Sequence, residues 1–114
     1  MKLLYFEAFG RAHSIRVLLN HAGVEFEDVA VKREDWPELK KDTDKFPSGQ
    51  MPVLEKDGKY YDQSTAILRM LGREHGYYPS DAEELYQVEK AMEMFADFTL
   101  PMIQIYFMKD EEEK

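Results

Sequence analysis

Gly49-Gln50-Met51-Pro52-Val53-Leu54, followed after a short hairpin by Asp62-Gln63-Ser64-Thr65-Ala66-Ile67, is the stretch on which the reading of this chain turns. Proline has no N–H to give to a sheet ladder, so Pro52 belongs at the first position of the apolar strand it opens. X-Pro bonds are the ones with an appreciable cis population, and a cis Met51–Pro52 bond turns the preceding backbone outward. Met51 then offers its N–H and C=O to a ligand as an added strand would. The Gln63-Ser64 pair opens a helix whose unsatisfied N–H groups and positive dipole end attract a carboxylate. A backbone edge beside an anion-binding helix start suits a small peptide with a free carboxylate.

Outward from that stretch, Lys2 to Phe6 is a short apolar run rich in aromatics and reads as a buried strand. Ile15, Leu18, Leu19 and Ala22 recur at helical spacing, with Gly23 as the C-terminal stop. Val24, Phe26, Val29 and Val31 mark a second strand. Asp35-Trp36-Pro37-Glu38 starts a short helix, since proline is tolerated in a first turn. From there to Gly49 the chain is polar and is expected to be irregular. Asp57-Gly58 between two short strands is a two-residue hairpin signal. Ala66, Ile67, Met70 and Leu71 supply the buried face of the next helix, and Gly76 follows its end. The order strand, helix, strand, helix, hairpin, helix predicts an α/β fold with a mixed four-stranded sheet.

Ser80-Asp81-Ala82-Glu83 reads as a capping box at the start of a further helix. One apolar row holds Leu85, Val88, Met92, Phe95 and Met102; a second holds Ala91, Met94, Phe98, Ile105 and Met108. Only Gln104 is polar between Leu100 and Met108, and Pro101 is expected to kink the helix. Two adjacent rows make a stripe wider than packing on one neighbour requires. The expected organisation is therefore a small α/β domain over residues 1–78 and, over 79–114, the start of a helical domain. More helices, or a second subunit, are expected to cover the stripe.

Composition bounds the chemistry. A net charge of −8 argues against nucleic acid or an anionic membrane as partner. Without cysteine the chain has no disulfide, no thiol nucleophile and no thiolate metal site. His13, His21 and His75 share no ligand spacing with carboxylates, so no metal site is expected. No apolar run approaches the ~18 residues of a membrane span, and no signal pattern opens the chain, so a cytoplasmic location is expected.

Taken in order, several motifs carry a resemblance: Leu4-Tyr5-Phe6, Gly10-Arg11-Ala12 with Ile15-Arg16, Ala22-Gly23-Val24-Glu25-Phe26-Glu27-Asp28 and Asp35-Trp36-Pro37-Glu38-Leu39-Lys40. They continue with Gly49 to Glu55, Asp57-Gly58 and Gln63 to Ile67. The chain resembles the soluble glutathione transferases, in particular the sigma-type group that includes the prostaglandin D synthases and the S-crystallins. The resemblance runs from residue 2 to about residue 98. It implies a thioredoxin-like βαβ-α-ββα domain leading into a helical domain, and a dimer. The pattern is broken at His13-Ser14, where the family has Glu followed by Pro or Ile, and at residues 42–48, which lengthen the link into the proline.

The resemblance also implies roles. A thiol of the cysteine kind titrates near ~8.5, so the task is to stabilise the thiolate of glutathione, the stronger nucleophile. Tyr5 matches the tyrosine whose hydroxyl donates to the sulfur, and Arg11 the arginine whose charge favours the thiolate. Gln63 and Ser64 match the pair that holds the γ-glutamyl carboxylate. Met51 and Pro52 supply the backbone edge, and Trp36, Lys40 and Gln50 the glycine end. Asp97 matches an acid that reaches the glutathione amine across a dimer interface. The plain alternatives are a core tyrosine, surface cations and ordinary helix capping. The implied activity is conjugation of glutathione to a hydrophobic electrophile. The alternatives are a structural or interaction protein of little activity, and a glutathione-dependent isomerase of the prostaglandin D synthase type.

Overall fold

The first strand, β1 (Lys2–Phe6), leads through a 3₁₀ turn at Gly10–Ala12 into α1 (His13–His21). A second strand, β2 (Glu27–Val31), and a short helix, α2 (Trp36–Leu39), follow. The hairpin β3 (Val53–Lys56) and β4 (Lys59–Asp62) precedes α3 (Ser64–Glu74) and α4 (Ala82–Glu112). These elements come from a computed structural model that describes the backbone of residues 1–8 and 10–112 and the side chains of 1–8, 10–98 and 101. The chain divides into two compact units, Met1–Tyr77 and Tyr78–Lys114.

In the first unit the sheet runs β2-β1-β3-β4, the mixed four-stranded α/β arrangement that the element order predicts. β1 pairs in parallel with β2, Tyr5 standing opposite Ala30, and antiparallel with β3 up to the Leu4–Val53 pair. Val53 and Leu54 are both fully buried, as a central strand covered on both faces requires. Alternate residues Leu3 and Tyr5 join Ile15 and Leu19 of α1 and Ile67 and Leu71 of α3 in one core. Asp57 and Gly58 both have positive φ, 53° and 78°, which is the turn that matches strand twist in a two-residue hairpin.

Four details differ from the expectations. β2 starts at Glu27 rather than Val24, because the end of α1 uses Val24: its N–H bonds Leu19 O at 3.0 Å and the N–H of Gly23 bonds Asn20 O at 3.1 Å. With Gly23 at φ 71°, that pair closes the helix as a Schellman motif. Ala66 is exposed, and Leu68 packs on the core in its place. At α4 the cap is Asp81 rather than Ser80, its Oδ2 accepting from the N–H of Glu84 at 3.0 Å.

The fourth lies in the segment expected to be merely polar. Phe46 is 1% exposed and is among the largest fully buried side chains. Its loop is held locally: Asp42 Oδ1 accepts from the N–H groups of Asp44 and Lys45, and Asp42 O from that of Phe46. An Asx-type turn therefore delivers one aromatic into the core, and residues 42–48 are an anchored loop.

In the second unit α4 is unbroken across Pro101. Leu85, Val88 and Met92 are half-buried, whereas Tyr86, Met94, Phe95 and Phe98 are exposed, Phe98 at 68%. Apart from Pro101, the side chains of the run from Leu100 to Met108 and of the acidic end at Asp110 to Glu113 lie outside the described residues. No described helix is long and apolar enough to cross a membrane.

Candidate functional site

The strand-opening proline and the start of α3 meet where the sheet order puts them, since β3 is paired to both β1 and β4. The Met51–Pro52 bond is cis. Met51 lies just past the end of the β1–β3 ladder, with its side chain buried in the core. A small cleft opens there, lined by Arg11, Gln50, Met51, Pro52, Gln63 and Ser64. Three separate segments thus bring six of the residues singled out from the sequence to one place.

The start of α3 carries no side-chain cap, and Gln63 occupies the N-cap position at φ 68° and ψ 103°. Its carbonyl accepts the first helical bond, from the N–H of Ile67 at 2.9 Å. Positive φ is uncommon for a residue with a Cβ, and such strain clusters where a site needs a particular backbone. The side chain of Gln63 reaches Ser48, Nε2 donating to Oγ at 3.4 Å, which ties the anchored loop to the helix start. Arg11, in the same cleft lining, has a buried Nε with no hydrogen-bond partner among the described residues. A buried guanidinium N–H without a partner, beside uncapped helix N–H groups, suits an anionic ligand.

Tyr5 is 5% exposed and is not part of this cleft's lining. Its hydroxyl oxygen accepts from the N–H of Arg11 at 3.3 Å, which leaves its own proton for another acceptor. Trp36 is half-buried and edge-packed between two rings, 5.9 Å from Phe6 and 4.9 Å from Phe46 between centroids. Lys40, at the end of α2, is exposed, as is Asp97 on α4 in the second unit. Two contributors went unread in the sequence. Phe46 carried the signal of a lone aromatic in a polar run; Ser48 carried none, because its role depends on a contact made by the fold.

No cluster of histidine and carboxylate able to hold a metal occurs among the described residues.

Comparison with known proteins gives this geometry its context. The family model described as "Glutathione S-transferase, N-terminal domain" matches residues 1–73. Glutathione S-transferase 1 of Ascaris suum is 45% identical over 97 residues, which cover 85% of this chain and 46% of that protein. The structure of prostaglandin synthase D of Nilaparvata lugens superposes with a TM-score of 0.80 at 40% identity, covering 92% of this chain and 51% of its own. A monomeric glutathione S-transferase of the hookworm Necator americanus superposes at 0.75 with 37% identity, covering 85% and 46%. The chain spans about half the length of the curated relatives it matches. With a family model matched over most of its length and an α/β fold shared with these structures, the chain belongs to the glutathione S-transferase family.

Proposed function

We propose that the protein containing this chain binds glutathione in the Arg11–Gln63 cleft and works as a glutathione transferase. The observation that carries the reading is one cleft lined by the uncapped start of α3, the cis-proline edge and Arg11, whose guanidinium keeps an unpartnered Nε. A peptide with a free carboxylate is the ligand that such a set of donors satisfies.

In this reading Gln63 and Ser64 bind the γ-glutamyl carboxylate with side-chain and helix-start donors, and Met51 pairs its backbone with that of the peptide. Trp36, Lys40 and Gln50 hold the glycine end. Tyr5 donates its hydroxyl proton as a hydrogen bond to the sulfur, favouring the thiolate over the thiol, and Arg11 adds positive charge beside it. Preorganised donors aimed at developing or resident anions are usually the largest single contribution to such chemistry. The thiolate then forms a carbon–sulfur bond to a hydrophobic electrophile, whose leaving group or π-electrons take up the displaced pair.

A cytoplasmic location belongs to the same reading. A second copy of the chain, or further helices, covers the apolar side of α4, with Asp97 reaching the glutathione amine of a neighbouring subunit. A monomeric relative is among the similar structures, so it is the exposed Met94, Phe95 and Phe98 themselves that favour association. The likeness to a prostaglandin synthase supports a second reading, a glutathione-dependent isomerase, which uses the same glutathione site and a different substrate pocket.

Calorimetric titration of glutathione tests the binding step. Saturable binding to the wild type is expected, weakened about tenfold or more in Ser64→Ala, since a hydrogen bond to a charged group is worth ~1.5–3 kcal/mol. No binding at millimolar glutathione would overturn the reading. Turnover of a generic aromatic electrophile, against isomerisation of a prostaglandin endoperoxide, separates the two activities.

A further inference from the structure

Arg16 makes three contacts with one side chain, and no role in the proposed function yet uses it. It stands in the second turn of α1 with its side chain only 15% exposed. Nη1 donates to the carbonyl of Ala8 at 2.7 Å. Nε lies 2.9 Å from Oδ2 of Asp28 on β2, an ion pair rather than an aligned hydrogen bond. The guanidinium carbon sits 5.9 Å from the centroid of the Tyr5 ring. One side chain thus grips the second strand, the segment leaving β1 and the face of the phenol.

Those three partners bear on the Tyr5 hydroxyl from different directions. Ala8 lies between β1 and the 3₁₀ turn whose Arg11 N–H reaches the hydroxyl oxygen. Asp28 lies on the strand whose Ala30 stands opposite Tyr5 in the ladder. A guanidinium within about 6 Å of a ring centroid is attracted to the ring's electron density. By the same interaction it withdraws density from the phenol and makes the O–H a better donor. A surface salt bridge would do none of this, and Lys2–Glu27, at 3.9 Å and well exposed, is such a bridge in the same sheet.

We infer that Arg16 is a positioning residue for Tyr5, holding the ring between α1 and β2 and strengthening its hydroxyl as a donor to the glutathione sulfur. The inference rests on the proposed role of Tyr5. It differs from the role given to Arg11, because Arg16 reaches the sulfur only through the phenol.

The test is a double-mutant cycle of Arg16→Gln and Tyr5→Phe in the protein that carries this chain. The readouts are glutathione affinity, the thiolate fraction of bound glutathione at neutral pH from its ultraviolet absorbance, and kcat. Arg16→Gln is expected to lower the thiolate fraction and kcat about threefold to tenfold, the range a cation–π contact supports, with affinity held within about twofold. In the Tyr5→Phe background the same change should do nothing further, since the group it acts through is gone. Asp28→Asn, which leaves the fold's core untouched, should shift the thiolate fraction the same way by a smaller factor. It decides the matter should Arg16→Gln fail to fold. Equal losses with and without the Tyr5 hydroxyl, or none from either Arg16→Gln or Asp28→Asn, would overturn the inference and leave the role of Tyr5 standing. A Tyr5→Phe protein with the wild-type thiolate fraction would instead overturn the role of Tyr5, and this inference with it.

Discussion

Gly10 and the hydroxyl of Tyr5 are so closely apposed that a Cβ on Gly10 would overlap the hydroxyl and stand 2.9 Å from Cε2 and 3.0 Å from Cζ of the ring. The glycine also has φ 41°, where a side chain is strained in any case. Glycine at this position lets the turn close over the phenol and places the N–H of Arg11 on its oxygen.

Gly10→Ala should therefore be costly twice over. A positive-φ residue with a Cβ costs on the order of 1–3 kcal/mol before any clash, which lowers the thermal midpoint by at least about 4 °C in a domain of this size. The clash falls on the hydroxyl, so kcat should drop further than glutathione affinity. Differential scanning fluorimetry and steady-state kinetics check both parts.

Tyr5→Phe should lower kcat with little change in glutathione affinity, because the hydroxyl matters more to the thiolate than to the thiol. Loss of one oxyanion donor typically costs ~10²–10³, and the softer sulfur anion should lose less. Unchanged turnover would shift the donor role to Arg11.

Phe46→Ala should be the most destabilising of the loop substitutions. Truncating a buried phenylalanine costs about 3–5 kcal/mol, and this one also removes the edge contact to Trp36. Trp36 is the only tryptophan in the chain, so its fluorescence reports the local change while urea unfolding reports the global one. A wild-type spectrum and midpoint would show that the loop is held without its aromatic anchor.

Gln63→Gly separates stability from binding. Relieving positive φ should keep stability within about 1 kcal/mol of wild type, or raise it. Loss of the amide should weaken glutathione about tenfold. A matching loss in both would mean that Gln63 is structural.

The helix surface gives the last prediction. With Met94 at 61% and Phe98 at 68% exposure, the chain should sediment as more than its 13.5 kDa monomer. Paired Met94→Lys and Phe98→Lys substitutions should return it to the monomer, because each buried apolar Å² is worth ~25 cal/mol. A wild-type chain that stays monomeric at high concentration would count against a subunit covering α4.

Much of this was legible in the sequence, for a physical reason that differs by region. The hairpin was readable because Asp57-Gly58 admits positive φ at both positions, and the cis Met51–Pro52 bond because a strand-opening proline has few other uses. Helix faces followed from periodicity, as Ile15, Leu19, Ile67 and Leu71 illustrate. Periodicity failed where ends are decided by hydrogen bonds, as at Val24 and Asp81. It failed again at Phe46, where an Asx turn makes an aromatic core residue out of a polar stretch. Of the site, residue types marked Gln63 and Ser64, but the Arg16–Tyr5 contact depends on where α1 lies against β1, which local sequence does not reveal.

The strand order decides which backbone groups of the sheet are left unpaired. β2 and β4 are the two margins of the sheet, and they are only five and four residues long. Glu27 and Asp28 stand on one margin and Lys59 and Asp62 on the other. A strand arriving at either would have to set its backbone beside these charges along a short row of donors and acceptors, which is how natural sheets discourage edge-to-edge growth. Growth of the sheet by edge-to-edge pairing of strands is thereby disfavoured.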